Sequence, residues 1–536
     1  MTTSSYRSAM NPCVFLKRHL PRDAIVLLCA ALAAPVFAAD VADIEQVRAS
    51  TTQLISMLVE QGVLSRERAD LLLQQATLPA QPSAAATTPA PAAPTPADAP
   101  AVAPGTVRVP YVPAFVRKEI KDEIKAELLA QAERDGWAGP GAVPEWVRRV
   151  QWYGDLRTRL EYDNFVTGNA PAVNVTATNT SRSLTLLNTT EDRTRLLVRA
   201  RAGMAAAIDD NWSTDIRLTT GNATNPVSAN QTLGTYDERY TVAIDRANIR
   251  FRSGKVFNAV AGRFGNPWFG TDLVWANDLS FDGVAAQWSP ALGASTRAFV
   301  TAAAMPIQEV ELSNADKWLL GAQVGLDAGH LLGEVSAKIG LGLYDYRNIV
   351  GQTSPTGSSI NEFTAPQFAQ KGNTYYNISS DSTRPLLGLA SAFRLVNLTG
   401  SLDVPLLWNK HAVLTGDFVK NVGYDRAAVS ARVGTDVAPK TTGWLMRFGF
   451  GNTEITRTGD WQVFSAYRHV ERDAVLDAFT DSDFRLGGTD AKGYTIGGSY
   501  GLGRDTAATF RLMSGDSISG PPLSIDVLQM DLAVRF

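Results

Sequence analysis

The stretch Asp526-Val-Leu-Gln-Met-Asp-Leu-Ala-Val-Arg-Phe536 carries a period-two alternation that ends on Phe536. Leu528, Met530, Leu532, Val534 and Phe536 are apolar, while Gln529, Asp531 and Arg535, with small Ala533, fill the positions between. Successive side chains of a strand point to opposite faces, so this segment has one apolar and one polar face. In a soluble sheet the apolar face packs on a core. In an outer-membrane barrel the pattern is inverted, with apolar residues toward lipid and polar residues toward a wet lumen. The rest of the chain separates the two environments.

From Val150 onward the alternation recurs. Tyr153, Asp155, Arg157, Arg159, Glu161 and Asp163 share one face, and Trp152, Leu156, Leu160 and Tyr162 the other. Arg193, Arg195, Arg199 and Arg201 oppose Leu196, Val198, Ala200 and Met204. Arg246, Asn248, Arg250 and Arg252 oppose Ala247, Ile249 and Phe251. Strand length decides the class. Strands of a sandwich usually run about 5–6 residues. These run roughly 10 to 13, enough to cross a bilayer when tilted. About sixteen such segments can be counted, among them 293–304, 386–403 and 525–536, and an even number suits a closed membrane barrel. Connections also sort by length. Asp209–Asn211, Ser253–Gly254, Ala328–His330 and Gly503–Asp505 read as tight turns. Asn164–Thr189, Asn222–Arg239, Tyr346–Arg384 and Gly423–Thr441 read as long loops. The fold class expected is an all-β transmembrane barrel of about 16 antiparallel up-and-down strands over residues 150–536, preceded by short helices. Asp526–Phe536 becomes its closing strand, paired with residues 150–163.

The N-terminal region carries different signals. Lys17, Arg18 and Arg22 precede an apolar run from Ile25 to Phe37, and Val36-Phe37-Ala38 offers a cleavage site, so residues 1–38 read as a secretory signal. Cys13 and Cys29 both lie within it. The mature chain then has no disulfide, no thiol nucleophile and no thiolate metal ligand. Losing Arg7, Lys17, Arg18, Arg22 and Asp23 leaves 46 basic and 52 acidic residues, a net charge of −6 that gives no reason to expect nucleic acid. A mean hydropathy of −0.07 suits lipid-facing and lumen-facing residues in alternation. Residues 39–76 read as a helical periplasmic segment. Residues 77–113 hold 10 prolines and 11 alanines and read as an extended linker. Residues 114–136 read as an amphipathic helix with Val116, Ile120, Ile124 and Leu128 along one stripe, which either docks or self-associates as a coiled coil.

Three segments resemble a known family. Glu145-Trp-Val-Arg-Arg-Val-Gln-Trp-Tyr-Gly-Asp-Leu-Arg-Thr-Arg-Leu-Glu-Tyr162 resembles the opening strand of the bacterial putative-porin family. Gly262-Arg-Phe-Gly-Asn-Pro-Trp-Phe-Gly-Thr-Asp-Leu-Val-Trp-Ala-Asn-Asp-Leu-Ser-Phe-Asp-Gly283 resembles its internal segment, and Leu58 to Glu67 its N-terminal extension. The resemblance implies a sixteen-stranded, trimeric diffusion porin of the Gram-negative outer membrane. It carries no solute and no binding residues.

On the inferred lumen face, Arg157, Arg159, Arg193, Arg195, Arg199, Arg201, Arg217, Arg246, Arg250, Arg252 and Arg263 form a basic wall. Guanidinium groups lining a wet pore concentrate anions. Asp155, Glu161, Asp163, Asp215 and Asp245 lie on the same wall, and cross-strand pairing would neutralise part of it. Both a true anion preference and a neutralised lumen follow from this composition. Gly265–Leu279, with two tryptophans and with Asp272 and Asp278, is too irregular to face lipid. It reads as a constriction folded into the lumen, or as a rim loop anchored by its aromatics. Val475–Phe484, with Asp477, Asp481 and Asp483, is a weaker version of the same pattern. His330, His411 and His469 are too few and too scattered for a catalytic or metal site, so no enzyme, cofactor or metal is expected. Three functions follow: a passive porin, a channel specific for phosphate-like or acidic organic anions, or a barrel anchoring its N-terminal helices. Partners would be outer-membrane lipid and lipopolysaccharide, the barrel-assembly machinery through terminal Phe536, further copies in a homotrimer, and cell wall through residues 39–136.

Overall fold

The computed structural model describes residues 149–311 and 313–536. The expected signal at 1–38, helices at 39–76 and 114–136, and linker at 77–113 lie outside these described residues.

Sixteen long antiparallel strands follow one another. They are β1 Val150–Phe165, β2 Arg193–Ala207, β3 Trp212–Thr220, β4 Val242–Ser253, β5 Phe257–Gly265 and β6 Ser280–Trp288. Next come β7 Thr296–Gln308, β8 Lys317–Leu332, β9 Val335–Arg347, β10 Arg394–Leu406 and β11 Lys410–Asn421. The circuit ends with β12 Thr442–Gly451, β13 Trp461–Val470, β14 Ala491–Gly503, β15 Thr506–Ser517 and β16 Ser524–Arg535. Each strand pairs with the next. β16 then pairs with β1, from Asp155 opposite Arg535 to Phe165 opposite Ile525. The sheet is therefore a closed barrel without free edges, the only β architecture that satisfies its backbone in a bilayer.

Burial identifies the solvent on each face. Outward-pointing Trp152 is 75% exposed, and Leu196, Ile249, Ile339, Phe448, Ile496 and Leu532 are exposed too. Inward-pointing Arg159 and Glu161 are 1% and 3% exposed. A continuous exposed apolar belt around a charged interior is untenable in water but is what a bilayer requires.

Long connections lie at one end of the barrel: L1 (166–192), L2 (221–241), L3 (266–279), L4 (309–316), L5 (348–393), L6 (422–441), L7 (471–490) and L8 (518–523). Mostly short ones lie at the other. The turn expected at Ala328–His330 falls at residues 333–334 instead, because Gly333 supplies the positive φ of 65° and β8 runs on through His330. The strand expected over 386–403 begins only at Arg394. Leu387–Leu389 instead pairs with Tyr375–Asn377 inside L5.

L3, L5 and L7 fold into the barrel. Trp275 packs edge-on against Tyr344 at 5.0 Å and Phe281 at 5.3 Å, and Trp268 against Tyr344 at 5.1 Å. Gly321 of β8 leaves room for Trp268, since a Cβ there would sit 2.6 Å from its ring. The largest buried apolar cluster is thus inside the ring of strands, under the loops.

Candidate pore lining and constriction

L3 is tied to three parts of the wall. The Phe269 amide donates to Gln323 of β8 at 2.9 Å, and Gln323 donates back to the Phe269 carbonyl at 2.6 Å. Thr271 donates from its amide and hydroxyl to Asp417 of β11 at 3.1 and 2.6 Å. At its far end Asp278 accepts from Arg199 and Arg201 of β2 at 2.9 and 3.3 Å. The loop thus crosses the lumen from β8 and β11 to β2.

L7 is stitched to L3. The Ala276 amide donates to the Phe479 carbonyl at 2.8 Å, and the Thr480 hydroxyl to the Leu273 carbonyl at 2.8 Å. L5 holds L7 from the other side. Thr374 donates to Asp473 at 2.6 Å, and Tyr375 to Asp477 at 2.9 Å. Burial pushes the Asp477 carboxyl up to about 7, with neighbouring Asp473 adding to the shift.

Two cavities flank this layer. One of about 540 Å³ opens toward the long loops, lined by residues such as Thr220, Arg263, Asp278, Lys317 and Phe479. The other, of about 650 Å³, lies toward the short connections, lined by residues including Asp272, Lys338, Arg447, Arg468, Asp481 and Arg511.

Most of the charges cancel. Arg159 donates to Asp531 at 2.6 and 3.0 Å and to Asp483 of L7 at 3.1 Å. Arg511 donates to Asp531 at 3.0 Å and Asp483 at 3.3 Å. Arg157 donates to Asn230 at 2.5 Å and lies 4.0 Å from Asp531. Arg195 pairs with Glu161 and, at 3.2 Å, with Asp163. Asp155 accepts from Arg199 and Arg201 at 2.8 and 2.6 Å, so those two arginines share Asp155 and Asp278. Arg157, Arg159, Arg195, Arg199, Arg201 and Arg511 thus meet Asp155, Glu161, Asp163, Asp278, Asp483 and Asp531. The group is neutral. Across the lumen Arg447 and Arg468 hold Asp272 at 2.8 and 3.0 Å, and Arg468 holds Asp481 at 3.0 Å. Burial alone would raise Asp272, but Arg447 and Arg468 outweigh it and keep its carboxyl below the usual range. Burial raises Asp481, and Asp272 and Asp483 nearby reinforce the shift. Arg217 pairs with Asp245, and Arg263 with Asp282 at 3.0 Å.

The remaining candidates lie apart. Arg193 stands opposite Asp163 at the long-loop end of β2. Asp215 accepts the Tyr153 hydroxyl at 2.5 Å. Arg250 and Arg252 lie on β4 toward the short connections, and Arg246 lies higher on the same strand with its guanidinium beside Gly265 at the base of L3. Sequence reasoning did not single out Arg447, Arg468, Arg511 or Asp417 as site residues, and it read Asp531 as facing the pore without its partners. The run of aspartates in Val475–Phe484 was the available signal for L7.

A family model described as Putative porin matches residues 48–536. The chain belongs to that family. The porin is a channel of the outer membrane. No curated protein matches it in sequence. Among solved structures it is similar to the outer-membrane channel DcaP of Acinetobacter baumannii, at 10% identity and a TM-score of 0.40 over 72% of this chain and 97% of that one. OprB of Pseudomonas putida at high pH gives 11% and 0.42, over 73% and 96%. The trimer form of Vibrio cholerae OmpT gives 10% and 0.37, over 72% and 99%.

Proposed function

We propose that this porin forms a water-filled path for passive diffusion of small hydrophilic solutes, with a preference for anions. The observation carrying this reading is the charge balance of the inner wall. The carboxylates of L3 and L7 that reach the lumen are engaged by guanidinium groups, while Arg246, Arg250 and Arg252 of β4 have no ion pair among the described residues. The uncompensated charge of the β3–β4 wall is thus positive, three guanidinium groups against Asp215, and a fixed positive charge in a narrow wet pore enriches anions. The charged layer of L3 and L7 would act as the constriction, with Asp272 and Asp278 facing arginine walls on either side. β1 begins at the short-connection end, which favours a periplasmic position for everything preceding it. A homotrimer, and recognition of Phe536 by the assembly machinery, belong to the same reading. Planar-bilayer recordings of the full chain test it. A reversal potential of anionic sign in a KCl gradient is expected. Conductance with cationic sign removes the anion preference, and no conductance above background favours a purely anchoring barrel.

A further inference from the structure

A local irregularity sits beside the three unpaired arginines. Between Arg217 and Leu218 the register of β3 against β4 slips, so that Arg217 faces Arg246 while Leu218 faces Ile244. Asp245 is the extra residue. A bulge re-aims the side chains around it. Here it turns Asp245 inward to Arg217, whose Nε donates to it at 2.6 Å, and Ser280 donates to its other oxygen at 3.2 Å. Asp245 is thereby spent, and Arg246 beside it has no acidic partner. Arg246 Nε is buried without a hydrogen-bond partner among the described residues. Arg250 and Arg252 follow on the same face, about 7 Å apart along the strand. Their side chains make no hydrogen bond or ion pair among the described residues. The nearby carboxylate, Asp215, is already occupied by the Tyr153 hydroxyl and lies beyond ion-pair distance of all three arginines. On this part of the wall three guanidiniums therefore stand against one carboxylate, a local excess of two positive charges.

We infer that Arg250 and Arg252 form a discrete binding station for a compact, doubly charged oxyanion on the periplasmic side of the constriction, with Arg246 above it. Guanidinium is the side chain that recognises phosphate and carboxylate bidentately, and the Arg250–Arg252 spacing lets both reach one oxyanion. Arg246, higher on the strand, receives the anion as it leaves the L3–L7 layer. This rests on the channel reading above and adds to it that anions pause at a saturable site.

Inorganic phosphate is the probe, used on the full chain in two assays. In planar bilayers in KCl at pH 7.5, periplasmic phosphate should block chloride current saturably. Arg250→Gln with Arg252→Gln should weaken that block at least tenfold. Arg250→Lys, which keeps the charge but loses the fork, should fall between. Arg426→Gln, whose guanidinium pairs with Asp436 on the outer surface, should block like the native chain. Titration calorimetry of the detergent-solubilised chain measures the same site without current, and unheated gel mobility reports that each variant has closed its barrel. Phosphate binding lost in the double variant supports the station even if no current is seen, in which case only the channel reading falls. Block and binding unchanged in the folded double variant, or absent in the native chain, overturn the station and leave the channel standing.

Discussion

Asp483 is the residue through which L7 is fastened to the opposite wall, and its replacement gives a calculable effect. Both its oxygens lie 3.1 Å from Arg159 Nη1, and Oδ2 lies 3.3 Å from Arg511 Nη1. Arg159 is 1% exposed, so losing a partner is felt in a dry setting. Removing one member of a buried pair costs about 3–5 kcal/mol. The lower end applies, because Arg159 keeps Asp531 and Glu161, and the Asp483 side chain is 24% exposed. About 3 kcal/mol is about a hundredfold in the opening equilibrium of L7. Asp483→Asn keeps the shape and removes the charge. Hydrogen exchange should then accelerate by about a hundredfold at the L7 amides of Phe479, Leu486 and Gly487, which are bonded within the loop. Amides of β15 and β16 should keep their protection, and single-channel current should become noisier. If those L7 amides stay within about twofold of native in the folded variant, the ionic fastening does not hold the loop. The pH sign is fixed as well. Burial would raise this carboxyl, but Arg159 and Arg511 hold it well below the usual range. Its contribution is present above the ordinary carboxylate pKa and is lost only as pH falls through that depressed value.

Asp477 moves in the opposite sense. With its carboxyl raised to about 7, the docking of L7 on L5 should weaken as pH rises from the ordinary carboxylate range through neutrality, and Asp477→Asn should shrink that slope in exchange rates between pH 5 and 8. Gly154→Val places a Cβ 2.5 Å from both the Phe536 ring and the Arg201 carbonyl, so closure of β1 on β16 should suffer by about 1–3 kcal/mol; an unchanged folded fraction on unheated gels would refute this. Asp417→Ala removes the acceptor of Thr271 and Asn397 and should free the middle of L3, seen as larger current fluctuations with barrel mobility retained.

The barrel was legible because each strand states its own environment. Alternation along Gln151–Asp163 or Arg193–Met204 needs no knowledge of neighbours, and strand length excludes a sandwich. Errors arose where apolar residues served another purpose. Leu386, Leu387 and Leu389 extend the apparent strand before Arg394 but belong to the fold of L5. The wall arginines were equally visible, but their partners were not. Arg159 meets Asp531 across 372 positions and Asp483 across 324, separations that no local pattern reports. Nor does the sequence disclose that Asp245 is the extra residue of a bulge beside the unpaired arginines.

The pairing of β1 with β16 also bears on how a cell avoids leaks. Inner-wall charges of β1 find partners on β16: Arg159 needs Asp531, and Glu161 needs Gln529. A chain interrupted anywhere before β16 presents two raw edges and a row of stranded buried charges. It gains little by inserting and is left for proteolysis. Closure thus works as an inspection step: a hole in the envelope is made only by a chain that has reached its final strand.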